Sequence, residues 1–275
     1  VKASRLPLVT TVLVLLFLWL PIAVLVVSSF NAARFGGSWE GFSLRWYARL
    51  LQEREVWLAV QNSLLIAVAV TLASLVLGTA SGFALHRWAG GLQRFHYAMI
   101  YSPLVLPDIL MGMSLLLLFV SLEVPLGLGT IFLAQTTFSI SYVAMVILAR
   151  LQDFDFTVVE AARDLGAGRW TTIRRILLPL LAPGLAAGGL LAFTLSIDDF
   201  VITFFVAGPG ATTLPLRIYS MIKHGSPTLL NALSTILLLA TFLAALLAHR
   251  VTAPRGGGPG ESSPPPGSGA GPRVV

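Results

Sequence analysis

The chain has 275 residues, of which 56% are hydrophobic and 11% charged, with a mean hydropathy of +0.85. That balance excludes an ordinary soluble domain and marks an integral membrane protein. The formal net charge of +6 sits in short segments between long apolar runs, a pattern that sets membrane topology rather than a face for nucleic acid, and the absence of cysteine excludes disulfides, thiolate metal sites and cysteine nucleophiles.

Six apolar runs are long enough to cross about 30 Å of hydrocarbon as helices: residues 6–30, 58–85, 98–120, 131–148, 180–207 and 229–248. The first, at 25 residues, exceeds a signal-peptide core and reads as an uncleaved anchor. With the N-terminus in the cytoplasm, twelve of the 18 Lys and Arg fall on that side, so both termini are expected inside. The first outer segment, 31–57, holds Arg34, Arg45, Arg49 and Arg54 beside Glu40, Glu53 and Glu55. Its stretch 43–57 is amphipathic and is expected along the membrane surface, with Trp46, Tyr47 and Trp57 at headgroup level. Beyond Arg250 the composition turns to Gly, Pro and Ser. The expected organisation is therefore a transmembrane domain over 1–250 and a disordered cytoplasmic tail over 251–275. His86, His96, His224 and His249 are scattered singly, without the spacing of metal ligands.

The longest cytoplasmic segment contains EAARDLGAGRWTTIRRILLP, residues 160–179. Thr157 followed by Glu160 fits a capping box that opens a short helix near Val158, and Gly166 is placed to end it in the left-handed conformation. A second short helix is expected to run to Pro179, where the membrane segment begins. Small Ala161 and Ala162 allow another surface to approach closely. An ordinary connector accounts for helicity, but not for about thirty residues of capped structure between two spans.

Glu160, Ala161, Ala162, Gly166, Ile176, Leu178 and Pro179 follow the fixed spacing of the EAA loop, and in this the chain resembles the ABC importer permeases. The resemblance implies an all-α membrane protein with the six-transmembrane-helix type I importer permease fold. Its loop, residues 157–179, would be a coupling element that docks in a groove of a separate ATPase. The implied partners are a homologous permease subunit in a heterodimer, an ATP-binding subunit dimer that holds ATP and Mg, and a periplasmic or surface solute-binding protein, all at the lipid of the bacterial inner membrane. The chain itself is expected to be non-catalytic and without a cofactor. Its two lysines, Lys2 and Lys223, lie outside any GxxxxGK[ST] phosphate cradle.

Three acids fall within the expected spans: Asp108, Asp198 and Asp199. On straight helices rising 1.5 Å per residue, Asp108 would lie about 15 Å deep and Asp198 about 22 Å beyond Pro183. A charge near the bilayer centre costs about 2.5 to 3.5 kcal/mol, and no Lys or Arg occurs in the span cores. The acids are therefore expected to face a water-filled path, a partner or a cation. Neighbours on a helix point about 100° apart, so one of Asp198 and Asp199 should face a path more directly. The competing reading is a packing bond to Thr194, Ser196 or Thr203. Anionic walls favour a cationic cargo.

Segments 29–47, 102–116, 193–209, 214–227 and 231–235 are similar to the second permease subunit of spermidine/putrescine importers, within a likeness that spans residues 5–250. This resemblance implies a polyamine cargo, with Asp108, Asp198, Asp199 and Ser196 along the path. Trp46, Tyr47 and Tyr219 would supply aromatic faces for alkyl ammonium groups. The same machine with another cargo (ferric iron, thiamine or an organophosphonate) and a proton-coupled secondary carrier are the alternatives.

Overall fold

The computed structural model describes residues 6–35, 37–88, 90–225 and 227–252. The expected tail lies, from residue 253 on, outside the described residues, as do residues 1–5. Among the described residues there is no strand, and one isolated bridge joins Asn31 to Phe42.

Three long helices form the centre: α3 (Arg54–Arg87), α6 (Leu128–Gln152) and α9 (Leu178–Asp198). Lipid offers apolar surface as good as another helix, so membrane helices associate where small residues let backbones approach. Gly78 and Gly82 of α3 do this against α6: a Cβ on Gly78 would lie 2.7 Å from Val143 Cβ, and one on Gly82 would lie 3.0 Å from the Ala144 carbonyl. Gly184 and Gly188 of α9 approach Arg150 and Val143 of α6, while Gly189 meets Leu75 of α3. Val143, Ile147, Leu151 and Leu181 fill the space between.

Around this centre, α1 (Leu6–Ser29) packs on α12 (Pro227–Thr252) and exposes apolar side chains such as Leu13, Phe17 and Leu20. α2 (Arg45–Gln52) also lies on α12, and α11 (Leu214–Lys223) joins α3. Arg217 of α11 bonds Glu53 at 3.3 Å and Glu55 at 2.5 Å, where α3 begins. α1, α3, α6 and the continuous helix Arg169–Asp198 are each long and apolar enough to cross a membrane; a bent pair forms a fifth candidate. The sixth expected run, 229–248, falls in α12, with the shorter apolar stretch Pro227–Leu243.

Several expectations of straight or separate helices fail. Run 98–120 is two helices, α4 (Gly91–Val105) and α5 (Asp108–Ser121), which meet at 112°. Pro107 lacks an N–H and drives the residue before it out of the helical region, and Leu106 is accordingly extended, with ψ 137°. The depth assigned to Asp108 on a straight helix is therefore overturned. Run 180–207 breaks at Asp199, with ψ 117°, before the short α10 (Val201–Val206). Asp198 and Asp199 are thus not neighbours on one helix. The segment before Pro179 is not a separate helix: α8 (Arg169–Thr172), a widened turn over Ile173–Leu177 and α9 run on without interruption. In that turn Leu178 N–H donates to the Ile173 carbonyl five residues back, which opens room ahead of the Pro179 ring.

Candidate functional site

At the end of α9 two adjacent acids have opposite environments. The half-buried Asp199 carboxylate accepts from Ile202 N–H (3.2 Å), Thr203 N–H (2.9 Å) and the Thr203 hydroxyl (2.5 Å), and so caps α10. Gln135 of α6, 2% exposed, donates through Nε2 to Asp199 Oδ2 at 3.0 Å and to Thr203 Oγ1 at 2.9 Å. Its Oε1 accepts from the Ser196 hydroxyl at 2.5 Å. The other end of α10 is held by the same helix, because Thr130 Oγ1 donates to the Val206 carbonyl at 2.8 Å. Asp199 therefore has partners within the chain, where the sequence shows none, and one of them is Thr203, named by the competing reading. Ser196 is buried in this network.

Asp198, by contrast, is exposed. It borders a cavity of about 310 Å³ with Phe200, Pro215, Ile218, Tyr219 and Ile222. The Tyr219 ring stands 5.0 Å from Phe200 and 5.9 Å from Phe204, and Lys223 Nζ lies 5.6 Å from its centre. The result is a carboxylate beside clustered aromatic rings, a pairing that suits a cation.

The other expected path residues lie elsewhere. Asp108 is exposed in the first turn of α5, within electrostatic reach of Tyr142 on α6. α5 packs on α10: a Cβ on Gly112 would lie 2.7 Å from Phe205 Cδ2 and 3.3 Å from Ile202 Cα. Trp46 is covered by protein instead of lying open on a surface: it is 6% exposed, packs with Leu50, Met221, Leu229 and Leu233, and donates from Nε1 to the Asn31 carbonyl at 3.0 Å. The short α2 has a strong apolar face, and α12 covers it, so α2 joins the protein core instead of floating on lipid. The Tyr47 and Ser29 hydroxyls share a hydrogen bond of 2.6 Å. Trp57 alone of the three aromatics is largely exposed.

The loop between α6 and α9 contains α7 (Thr157–Asp164). Its start differs from the expected capping box: the Asp155 carboxylate, two residues before, accepts Thr157 N–H at 3.0 Å. Bonds from the Thr157 hydroxyl and then its N–H hold the Asp155 carboxyl below the ordinary aspartate range. The end is as expected. Gly166 has φ +82°, its N–H donates to Arg163 and that of Ala167 to Ala162, a Schellman stop that a side chain on residue 166 would strain. Two faces result. Phe156, Val159, Glu160 and Arg163 look toward the end of α3 across a cavity of about 510 Å³. Val158, Ala161 and Leu165 lie outward, Leu165 being 90% exposed, with Trp170 70% exposed just beyond. Ile176 is half-buried, and Leu178 and Pro179 are exposed at the junction with α9.

Sequence reasoning missed Gln135, although an isolated amide inside run 131–148, near its start, is the signal that finds it. It also missed the glycines four apart at 78 and 82 and at 184 and 188. Among the described residues no group of three or more His, Asp or Glu is placed to hold a metal ion.

Residues 74–253 match the family described as binding-protein-dependent transport system inner membrane component. Over 235 residues the chain is 40% identical to the spermidine/putrescine transport system permease protein PotC of Escherichia coli (strain K12), covering 86% of this chain and 89% of the relative. It is 43% identical over 240 residues to the putrescine transport system permease protein PotI of the same organism, covering 84% and 85%. Among solved structures, a bacterial ABC transporter involved in the import of the acidic polysaccharide alginate matches with a TM-score of 0.69 at 16% identity, over 92% of this chain and 100% of that one. The MetNI methionine ABC transporter, in an inward facing conformation, matches with a TM-score of 0.59 at 20% identity, over 72% and 96%. The fold is that of an ABC importer permease, and by the family match and the two Escherichia coli relatives the chain belongs to the binding-protein-dependent transport system inner membrane components.

Proposed function

We propose that the chain is one of two permease subunits of an ATP-driven, binding-protein-dependent importer of polyamines, with both termini in the cytoplasm. The observation that carries the cargo is the division of labour at the α9 end: Asp199 is committed to internal bonds, and Asp198 is left free beside Tyr219 and Phe200. Alkyl amines titrate near lysine, at about 10, so a polyamine arrives with several positive charges. A carboxylate with aromatic neighbours attracts each ammonium while remaining open enough to release it. The names of the relatives in Escherichia coli support this cargo.

The partners follow from the loop. Val158, Ala161, Leu165 and Trp170 give a partner ATPase a small apolar surface, and that ATPase would bind ATP and Mg and carry out hydrolysis. Glu160, Ala161, Ala162 and Gly166 form the coupling element; Ile176, Leu178 and Pro179 join it to the membrane. The helix Arg169–Asp198 is continuous over 30 residues, about 45 Å at 1.5 Å per residue, and links the loop directly to Asp198. Displacement of α7 then shifts the niche. Asp108, Ser196, Trp46 and Tyr47 act around the path: Asp108 as a second carboxylate, and the others by fixing the walls.

The test is uptake of radiolabelled spermidine by the complete complex in proteoliposomes, with putrescine and unrelated monovalent cations as competitors. Asp198→Asn should lower uptake on the order of tenfold, the effect of losing one close charge pair of 1 to 2 kcal/mol, while thermal stability is unchanged. Parental uptake by that variant, or equal competition by unrelated cations, would overturn the reading.

A further inference from the structure

Three arginines converge where the membrane domain meets the coupling loop. Arg87 is the last residue of α3, Arg163 lies on the inner face of α7 and Arg169 opens α8. Together with the backbone of Ala167 and Gly168 they line a cavity of about 660 Å³, which adjoins the 510 Å³ cavity lined by the same three arginines and His86. Among the described residues the ion pairs are those of Arg217, so none of the three has an acidic side chain within 4.0 Å. Glu160 is the one carboxylate bordering either space.

Arginine stays charged at any physiological pH, and three such groups facing one concavity repel one another unless an anion lies between them. The guanidinium fork matches the oxygens of a phosphate group in paired hydrogen bonds. A second observation concerns the setting. Arg87 and Arg169 are each followed by an exposed tryptophan, Trp88 at 49% and Trp170 at 70%, the side chain enriched at the level of lipid headgroups. The outward face of α7 is apolar, whereas the arginines look inward, which separates this basin from the surface offered to the ATPase.

We infer that the basin of Arg87, Arg163 and Arg169 binds a phosphate group, that of an anionic phospholipid in the leaflet on the coupling-loop side. Bound there, the phosphate bridges the end of α3 to α7 and α8 and steadies the loop against the membrane domain. The inference goes beyond cargo: it depends on the chain spanning a bilayer, and the leaflet alone follows from the orientation proposed above.

The experiment uses the full chain, without ATPase or polyamine. Native mass spectrometry would count phosphatidylglycerol and phosphatidylcholine retained from mixed micelles, with thermal midpoints measured in nanodiscs of each lipid. Phosphatidylglycerol should be retained preferentially and should raise the midpoint. Each Arg→Gln change should weaken retention about fivefold, and all three together on the order of a hundredfold. Arg94→Gln, basic but outside the lining, should change it less than twofold. Inorganic phosphate that displaces phosphatidylglycerol from the parent but not from the triple variant would support the phosphate site and assign it to a soluble anion. Equal retention of both lipids, or an equal loss in Arg94→Gln, would overturn the inference. None of these readouts involves uptake, so a failed cargo assignment leaves them standing.

Discussion

Two membrane segments are broken, and they are broken by different means. Between α4 and α5 the cause is covalent: Pro107 has no N–H, Leu106 is extended, and the halves meet at 112°. Between α9 and α10 there is no proline. Asp199 turns back to cap α10, and Gln135 of α6 completes its bonding. The first break persists wherever the chain goes, whereas the second exists as long as α6 and α9 keep their present register. The segments beyond the two breaks pack on each other through Gly112, Phe205 and Ile202, so the fixed bend braces the conditional one. The continuous helix Arg169–Asp198 ends at the conditional break, with Asp198 exposed beside it.

The largest effect should come from removing the outside support of that break. Gln135→Leu leaves the Ser196 hydroxyl without its acceptor and deprives the Thr203 hydroxyl and the Asp199 carboxylate of one donor each, while the bond from Thr203 to Asp199 remains, at a cost of about 3 kcal/mol. Thermal unfolding in detergent would show it as a clear fall in midpoint; an unchanged midpoint would mean that α10 is held by packing alone. Next comes the brace. Gly112→Ala places a methyl 2.7 Å from Phe205 Cδ2, and since that ring can yield in part, the overlap should cost about 1 to 3 kcal/mol. Phe205→Leu in the same chain should recover much of the loss, a rescue that a general defect of α5 would not give.

Smaller again is the contrast between the two acids. Asn caps a helix nearly as well as Asp, so Asp199→Asn should lower stability by about 1 kcal/mol through its weaker bonds to Gln135 and Thr203. Asp198→Asn, exposed and without a bond among the described residues, should stay within about 0.5 kcal/mol of the parent. If the two variants unfold alike, the division between a structural and a free carboxylate fails.

The parts of this arrangement differ in how far a sequence reveals them. The runs of apolar residues and the EAA spacing are local patterns, and α3, α6 and α7 fall where they indicate. Gly166 ends α7 in the left-handed region because no other residue takes φ +82° without strain. Pro107 was equally visible, yet an apolar run of membrane length outweighs it when hydropathy is the criterion. The break at Asp199 was not legible from its own segment, because its cause lies more than sixty residues away in sequence, on Gln135. The fate of Trp46 was hidden in the same way: an amphipathic stretch specifies an apolar face but not whether lipid or α12 covers it. Nor does the permease fold name its cargo, since the alginate transporter shares it with an acidic substrate.

Asp155 offers the same capping chemistry in a different medium. It binds Thr157 at the start of α7 as Asp199 binds Thr203 at the start of α10, but it stands in solvent. The Thr157 hydroxyl and N–H favour its charged form and lower its pKa when α7 is folded. Its contribution to the helix is therefore complete above the ordinary aspartate value of about 3.9, and fades as pH falls through the lowered folded value. Because the chain has no cysteine, a single Leu165→Cys change gives one spin-label site on the exposed end of α7. Label mobility should be flat from neutral pH down to the carboxylate range and rise below it, and Asp155→Asn should remove most of the rise. A rise of equal size in both chains would place the acid sensitivity elsewhere than at the Asp155–Thr157 contact.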